Sequence, residues 1–523
     1  MADPVDGAAP VPGMPRNVVV VLLDSLNRHL IGPYGSAEFD TPNLDRLAAR
    51  SVRFDRHVTG SLPCMPARHD LLTGSLDFLW RPWGSIELWD EPITVPLRRA
   101  GVTTMLVSDH PHLFEVGGEN YHADFTAWDY VRGHEGDPWR TAPDPSWAGT
   151  PALPARPGAL PFPYDESRTW FRSEADFPGP RTMATAADWL ERQAPHADRY
   201  LLFIDEFDPH EPFDTPEPWA SRYDDSPEPK IIWPPYATDA TARGVVTADD
   251  GRRIRAAYGA KLSMIDHHLG RVLDVLDAQG AWDDTAVLLC TDHGHYLGEH
   301  DAFGKPGLPL YETMSRIPLL VAWPGREPGR VDALTTTVDL HATLLDVFGV
   351  TADHRTHGRS IVPLLAPSGP GGGAPTTSIR DWALMGVWGR EVHVTDGRRK
   401  YVRAPGDENR PLSMWSNRWS TMPIHAFPDI RLPPPDHRAV LDTMPGSDIP
   451  VIRQPFAVGD QVPYWAASRF TGHHLWDVDD DPGEEHDLAG GGGPAERELV
   501  DLLRSALDEV EAPSDQYERL GLA

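Results

Sequence analysis

The chain has 523 residues, a formal net charge of -31, 40% hydrophobic residues and 2 cysteines. The length and apolar content predict one large folded domain with a smaller second one, and so few cysteines exclude a disulfide framework and indicate a reducing, cytoplasmic location. The negative charge argues against nucleic acid or an anionic membrane surface as a partner, and no apolar run approaches the ~20 residues that a membrane span needs.

In chain order, the predicted elements alternate between strands and helices. After a flexible N-terminus, 1–16, the β-branched run 17–23 is typical of a strand buried on both faces. Thr41 is predicted to cap a helix whose first position is Pro42. Further strands are predicted at 102–107, 200–204, 286–290 and 317–322, and further helices at 252–278, 331–348 and 496–510. This alternation predicts an α/β fold: a three-layer α/β/α sandwich with a mostly parallel central sheet.

Composition also divides the chain. Gly- and Pro-rich residues 366–376 predict a linker between a catalytic domain, 17–365, and a smaller C-terminal α+β subdomain, 377–523. Segments 132–182 and 404–465 are long and rich in Pro and Trp. Such segments serve either as walls of a substrate pocket or as contacts between the subunits of a homo-oligomer, and both interpretations stay open.

One cysteine lies in an unusual local sequence. Cys64 stands between Pro63 and Pro66, and Gly74 follows, which predicts a short helix with Cys64 at its N-terminal end. Helix N-termini attract anions, and Arg68, one turn further on, can donate a fork of hydrogen bonds to the same place. The alternative is a buried structural cysteine before a helix, because free cysteine is usually buried and inert.

Acidic residues follow several of the predicted strands. In doubly wound sheets, ligands bind beyond the carboxyl ends of the strands. The residues at these ends are Asp24, Asp205, Asp208, Asp292 and His293. A carboxylate and an imidazole at one strand end can bind the same metal: oxygen-rich donor sets suit Ca²⁺, Mg²⁺ or Mn²⁺, and an imidazole favours a transition metal. The alternative for this last pair is an exposed polar turn.

Three motifs together resemble those of the type I sulfatases in the alkaline phosphatase superfamily. Residues 64–68 (CMPAR) have the C-x-P-x-R pattern, and residues 292–305 follow D-H-G-x-x-x-G-E-H with a later Gly-Lys. Residues 475–489 resemble the C-terminal ending of the family. The motifs occur in the family's order, and the resemblance covers 17–365 and 473–490.

The resemblance implies a metal-dependent hydrolase of sulfate monoesters. In this family a maturation enzyme converts the motif cysteine, here Cys64, to formylglycine (3-oxoalanine), whose hydrated aldehyde is the nucleophile. By the same resemblance Arg68 holds the formylglycine, and Lys305 and His210 contact the anionic oxygens or leaving group of a small anionic ester substrate. His210 is the expected acid for the leaving alcohol. The implied ligands of one divalent ion, Ca²⁺ or Mn²⁺, are Asp24, Cys64, Asp292 and His293.

Departures from the family pattern point toward its phosphonate monoester hydrolase branch. Ser25 stands where many sulfatases have a second acidic ligand, His293 stands where many have asparagine, and no Gly-Lys-x-His motif occurs near 108–112. His110 or His112 is a candidate for the missing cationic role in substrate binding. Sulfate monoester hydrolysis is the main hypothesis. The alternatives are hydrolysis of phosphonate monoesters or phosphodiesters at the same site, and a non-catalytic binding protein with this fold.

Overall fold

The computed structural model describes residues 11–146, 163–305, 307, 309–365, 377–419, 433–467 and 472–523. Most of the predicted flexible N-terminus and the predicted linker 366–376 lie outside these ranges. The strands are β1 (Asn17–Leu23), β2 (Val52–Val58), β3 (Ser61–Leu62), β4 (Thr103–Ser108), β5 (Ala127–Tyr130), β6 (Tyr200–Glu206), β7 (Thr285–Cys290), β8 (Tyr296–Leu297), β9 (Phe303–Gly304), β10 (Leu319–Ala322), β11 (Gly329–Thr336), β12 (Ala383–Val387), β13 (Val392–Thr395), β14 (Arg399–Arg403), β15 (Ser413–Ser416), β16 (Val440–Thr443), β17 (Pro450–Pro455) and β18 (His474–Asp477). The helices are α1 (Pro42–Ala48), α2 (Cys64–Thr73), α3 (Thr94–Arg99), α4 (Pro163–Arg168), α5 (Pro178–Arg192), α6 (Ala248–Gln279), α7 (Glu312–Ser315), α8 (Thr337–Phe348), α9 (Val362–Leu365), α10 (Tyr464–Ala467), α11 (Pro494–Glu509) and α12 (Ser514–Arg519). None of the helices in the described ranges is both long enough and apolar enough to cross a membrane.

The central sheet has the strand order β11-β2-β10-β7-β1-β6-β4-β5. Neighbouring strands run parallel except at β10, which is antiparallel to both β2 and β7. Every residue of β1 is buried, as a β-branched strand in the middle of a covered parallel sheet requires. The predicted α/β fold with a mostly parallel central sheet is confirmed.

Helices cover both faces of this sheet. Val19 and Val21 of β1 pack into an apolar core that includes buried residues of α5 and α6. Val18 and Val20 point the other way, into a core shared with α2, α3 and α8. Because side chains of a strand alternate between its two faces, β1 contributes to both cores and separates the two helical layers.

The helix predicted at 331–348 is wrong in its first part. That part belongs to β11, which runs along β2 at the edge of the sheet, and α8 begins only at Thr337. Pairing with β2 suits the β-branched residues of this stretch. A capping box between Thr336 and Asp339 then starts the helix.

The predicted cap of α1 is also wrong. Thr41 makes no capping hydrogen bond. Instead the carboxylate of Asp266, on α6, accepts hydrogen bonds from the backbone N–H groups of Asn43 and Leu44. The helix therefore begins at Pro42 as predicted, but a residue distant in sequence satisfies its first N–H groups.

A second sheet supports the start of α2. It has the order β18-β14-β13-β12-β3, and α11 contacts three of its strands. Its edge strand β3 pairs with β12 and leads directly into α2 at Cys64. The C-terminal part of the chain thus holds the strand that precedes the cysteine motif. The division into domains at 366–376 stays a prediction.

Candidate active site

Cys64 lies at the N-terminal end of α2, which ends before Gly74 with its positive φ of 73°. The Cys64 Sγ atom lies 3.3 Å from His293 Nε2 and 3.4 Å from Lys305 Nζ. Burial, followed by the charge of Asp24, raises the pKa of the Cys64 thiol well above its ordinary value. The unmodified side chain is therefore a protonated thiol and a poor nucleophile.

Two strand ends bring carboxylates to this cysteine. Since β1 and β7 are parallel neighbours, Asp24 after β1 lies close to Asp292 and His293 after β7. Ser25, in a left-handed turn with φ 60°, donates its backbone N–H to Asp292 Oδ1 at 3.0 Å and its hydroxyl to Asp24 Oδ1 at 2.8 Å. Ser25 therefore links two carboxylates at the position where many sulfatases add another acidic ligand.

The donor atoms at this point fit a metal ion. Those of Asp24, Cys64, Asp292 and His293 all lie within 4.8 Å of one another, and all four residues are buried. His293 Nδ1 donates to the Gly294 carbonyl at 2.8 Å, which leaves the lone pair of Nε2 free on the side of Cys64. Asp24 Oδ2 is buried without a hydrogen bond, and burial together with Asp292 raises the pKa of Asp24 well above its ordinary value. A divalent cation here would satisfy that oxygen and relieve the repulsion between the two carboxylates.

Arg68 is surrounded by carboxylates. Its Nε and Nη2 donate to Asp205 at 2.9 and 2.6 Å. Its Nη1 lies 2.9 Å from Asp292 Oδ2 and 3.0 Å from Asp24 Oδ2, and it also donates to the Cys64 carbonyl at 3.2 Å. The fork therefore binds the Asp205 carboxylate, and Arg68 holds the strand-end carboxylates against α2. That Arg68 also holds a formylglycine stays a prediction.

Lys305 and His210 form a close pair beside the cysteine. Lys305 Nζ lies 2.7 Å from His210 Nε2, while His210 Nδ1 donates to the Glu211 carbonyl at 2.8 Å. Burial lowers the pKa of His210 to about 3. Although burial opposes the charge of Lys305, the neighbouring carboxylates, with Glu211 foremost, raise the pKa of that ammonium above its ordinary value. At neutral pH the transferable proton is therefore on Lys305, and the ring of His210 accepts its hydrogen bond.

The two histidines proposed for substrate binding have different surroundings. His110 is fully buried, neither of its ring nitrogens has a hydrogen-bond partner, and Nε2 lies 3.7 Å from Asp24 Oδ2. Burial holds the pKa of His110 well below its ordinary value. His112 contacts Glu115 and lies 3.3 Å from Glu135 Oε2; these carboxylates outweigh burial and raise its pKa to about 10. The cation of this pair is His112, and His110 is a neutral ring beside the candidate metal-binding residue Asp24.

Sequence reasoning missed several residues of the site. Glu211 accepts hydrogen bonds from the Tyr236 hydroxyl and from His295 Nε2 at 3.2 Å. Glu135 has its carboxylate within 4.8 Å of the donor atoms of His210 and Glu211. Position next to His210 was the only available signal for Glu211. Glu135 and Tyr236 lie in irregular segments, where no periodicity indicates which side chains face inward.

Comparisons with known proteins agree with the family that the motifs resemble. A family model described as Sulfatase matches residues 16–350. Choline-sulfatase of Rhizobium meliloti (strain 1021) is 28% identical over 422 residues, covering 74% of this chain and 78% of that protein. The crystal structure of the phosphonate monoester hydrolase of Agrobacterium radiobacter has a TM-score of 0.63 at 19% identity, covering 95% of this chain and 96% of that one. BT4656, solved in complex with its substrate D-glucosamine-2-N,6-O-disulfate, has a TM-score of 0.62 at 14% identity, covering 96% and 99%. The two structures share the fold of this chain.

Proposed function

Since the chain belongs to the Sulfatase family, a family of sulfuric ester hydrolases, we propose that it hydrolyses sulfate monoesters with a formylglycine nucleophile made from Cys64. One observation carries the proposal: Cys64 Sγ lies within 4.8 Å of the donor atoms of Asp24, Asp292 and His293 and 3.4 Å from the Lys305 ammonium. The buried, protonated thiol is a poor nucleophile at this position. Conversion to an aldehyde hydrate gives the site a hydroxyl instead.

The two hydroxyls of the hydrate act in different steps of the reaction. One attacks sulfur, the ester S–O bond breaks, and the alcohol leaves with a proton. The second hydroxyl then loses its proton as the aldehyde C=O re-forms, which breaks the C–O bond to sulfate and releases it. Water adds to the aldehyde and restores the hydrate. A serine or cysteine has no second hydroxyl with which to expel the sulfate.

The residues around Cys64 divide the remaining tasks. Lys305 places a positive charge beside the transferred group, where negative charge is highest in the transition state. The leaving oxygen receives its proton from the Lys305–His210 pair, in which the two nitrogens lie 2.7 Å apart. Arg68 keeps Asp24 and Asp292 in place, and His110 offers a neutral ring N–H near them.

The residues present would hold a divalent ion through Asp24, Asp292, His293 and the modified Cys64. When bound, such an ion supplies a positive charge that lowers the pKa of a hydroxyl and attracts the anionic ester. Two carboxylates and one imidazole can bind Ca²⁺ or Mn²⁺, and the imidazole favours Mn²⁺ over Ca²⁺. A formylglycine-generating maturation enzyme is the implied partner, and a cytoplasmic location stays a prediction from the sequence.

A second function has support from particular residues. Ser25 and His293 replace the residues that many sulfatases have, and the fold is shared with a phosphonate monoester hydrolase. Phosphonate monoesters and phosphodiesters are also tetrahedral anionic esters. The same nucleophile, lysine and histidine can therefore hydrolyse them. The third hypothesis, a non-catalytic binding protein, loses support because nucleophile position, donor set and lysine all converge.

The test is side-by-side kinetics after a check of the modification. The protein is made with a formylglycine-generating enzyme, and the peptide that contains position 64 is expected to be about 18 Da lighter than the unmodified one, from exchange of sulfur for oxygen and loss of two hydrogens. The substrates are an aryl sulfate, aryl phosphate monoester, aryl phosphodiester and phenylphosphonate monoester. Cys64→Ala is expected to abolish turnover, and Cys290→Ala, which removes the other buried cysteine, is the matched control. Full activity of protein that carries only the thiol would contradict the mechanism, and a higher kcat/KM on the phosphonate ester would favour the second function.

A further inference from the structure

Lys305 and His210 come from different segments of the chain. His210 follows β6, and Lys305 follows β9. Two contacts fix the His210 ring within its own segment: it stacks on Phe207 with ring centroids 4.1 Å apart, and its Nδ1 donates to the Glu211 carbonyl. Neither contact involves Lys305. The 2.7 Å distance between His210 Nε2 and Lys305 Nζ therefore depends on how the two segments are held together.

The Glu211 side chain joins these two segments. Its Oε1 accepts a hydrogen bond from the Tyr236 hydroxyl, and its Oε2 accepts one from His295 Nε2 at 3.2 Å. His295 lies between β7 and β8, in the motif segment 292–305 that ends at Lys305. Glu211 itself is the residue after His210 in the chain. One buried carboxylate therefore connects the segment of the histidine with the segment of the lysine.

Tyr236 is attached to the lysine's segment by its backbone and by its ring. The next residue, Ala237, exchanges two backbone hydrogen bonds with Phe303, with N–O distances of 3.2 and 3.0 Å. The ring covers Gly304, where a Cβ atom would overlap it and where the positive φ of 78° also favours glycine. The Tyr236 hydroxyl thus reaches Glu211 from a ring that is packed on β9.

The Glu211 carboxylate is also charged and lies close to the His210 ring. Burial would raise the pKa of Glu211, but its interactions with His210 and Lys305 hold that pKa well below its ordinary value. Glu211 Oε2 lies 3.5 Å from His210 Nδ1, and Nδ1 is the ring nitrogen that does not face the lysine. A negative charge at Nδ1 stabilises the ring when Nε2 carries a proton, as the carboxylate does in a Ser–His–Asp triad.

We propose that Glu211 is a positioning residue for the reaction: its carboxylate keeps His210 Nε2 in contact with Lys305 Nζ and favours transfer of a proton through the ring. The inference rests on the proposed sulfate ester hydrolysis and concerns its leaving-group step. As the ester S–O bond breaks, an N–H bond of Lys305 breaks and one forms at Nε2, and the Nε2 proton moves to the leaving oxygen. Lys305 is left as a neutral amine and takes a proton back from water, which receives one from the attacking hydroxyl.

Glu211→Gln tests the role because it removes the charge and keeps the shape. The amide oxygen can still accept from the Tyr236 hydroxyl, and the amide nitrogen can donate to His295 Nε2. The formylglycine-containing parent and variant are assayed on substituted phenyl sulfates. We expect kcat/KM to fall by about 100-fold for phenyl sulfate but only about 5-fold for 4-nitrophenyl sulfate, because a good leaving group needs little protonation.

A double-mutant cycle shows whether Glu211 acts through His210. The loss that Glu211→Gln causes on phenyl sulfate is measured again in the His210→Ala background, where there is no ring to position. This loss is expected to shrink from about 100-fold to about 5-fold or less, whereas a general structural defect would persist. Tyr236→Phe removes one donor to the carboxylate and keeps the ring. It is expected to show the same leaving-group pattern with a loss of about 10-fold on phenyl sulfate.

Glu87→Gln is the matched control. Glu87 is 4% exposed, as Glu211 is, but its partners are the Ser416 hydroxyl and Arg81. This control is expected to keep the leaving-group dependence of the parent. Losses in Glu211→Gln that are equal for both esters, or undiminished in the His210→Ala background, would overturn the inference and leave the proposed function standing. Failure of the parent to hydrolyse these sulfate esters with the modification verified would overturn the proposed function, and the inference with it.

Discussion

Two groups of buried acidic side chains lie at the carboxyl ends of neighbouring strands in the central sheet. The Arg68 group consists of Asp24, Asp205 and Asp292, which share one guanidinium. The Asp208 group consists of Asp109, Glu206 and Asp208. Consecutive residues of β6 belong to different groups, because Asp205 points to the face covered by α2, and Glu206 points to the face covered by α5 and α6.

The two groups neutralise their charge in different ways. In the Arg68 group three carboxylates compete for one arginine. Two of them, Asp24 and Asp292, lie within 4.8 Å of the donor atoms of Cys64 and His293. In the Asp208 group, Asp208 Oδ1 lies 2.8 Å from Lys261 Nζ and 2.7 Å from His134 Nε2. Burial raises the pKa of Glu206 well above its ordinary value, so this carboxyl tends to hold its proton, and it raises the pKa of Asp109 to about 6, so Asp109 holds a proton only in mildly acidic solution. One group has donor atoms arranged to receive a cation, and in the other Lys261 and His134 already pair with Asp208.

The largest expected difference in activity is between two variants, each of which replaces one carboxylate in one of the groups. Asp292→Asn is expected to lower kcat/KM by more than about 1,000-fold, because it weakens a proposed metal ligand and the anchor of Arg68. Asp208→Asn, the matched change, is expected to keep activity within about 3-fold and to lower stability by about 3 kcal/mol, since Lys261 loses its ion pair. Metal content by elemental analysis and unfolding in urea measure both effects. Undiminished activity of Asp292→Asn, or of a chelated sample shown to be metal-free, would contradict the metal assignment.

A smaller effect is expected from replacing two of the buried lysines, Lys305 and Lys261. Lys305 faces the proposed reacting centre, and Lys261 faces Asp208. Lys305→Met is expected to lower kcat/KM by about 100-fold to 1,000-fold with little loss of stability, as for removal of a donor to transition-state charge. Lys261→Met is expected to do the reverse and destabilise the fold by about 3 kcal/mol, because an unpaired carboxylate stays buried. If both variants lose activity in proportion to their stability, Lys305 has no special chemical role.

The contrast between these groups also shows how far the sequence alone could lead. Apolar runs predict the central strands, and the proline and glycine around Cys64 predict the start and end of α2, because these signals are local. The sequence places Asp205 and Asp208 at the same strand end but cannot tell which faces Arg68 and which faces Lys261. That depends on the pleat of β6 and on helices far away in the chain. The cap supplied by Asp266 and the position of Glu135 depend in the same way on contacts that form only in the fold.

The dependence of the hydrolysis rate on leaving-group pKa tests the role of His210. In the proposed mechanism the Lys305–His210 pair protonates the leaving oxygen, which matters more for poor leaving groups than for good ones. His210→Ala is therefore expected to make the rate depend more steeply on leaving-group pKa across substituted phenyl sulfates. His134→Ala, which removes the histidine paired with Asp208, is the control and is expected to keep the parent slope. Identical slopes for His210→Ala and the parent would leave His210 with a binding role only.

The smallest effect concerns the proton held by the Asp208 group. In the unfolded chain the Asp109 carboxyl has its ordinary pKa of 3.8, and in the fold burial raises it to about 6. Between these values the folded state binds more protons than the unfolded state, so stability falls as pH rises through this window and levels off above it. Asp109→Asn can still accept the hydrogen bond from the Phe207 N–H but cannot ionise. The difference in unfolding free energy between variant and parent should therefore shift in favour of the variant from pH 4 to pH 6.5. Asp129→Asn, an exposed change on β5, corrects for general charge effects, and a difference that does not vary with pH would show that Asp109 is ionised in the folded protein.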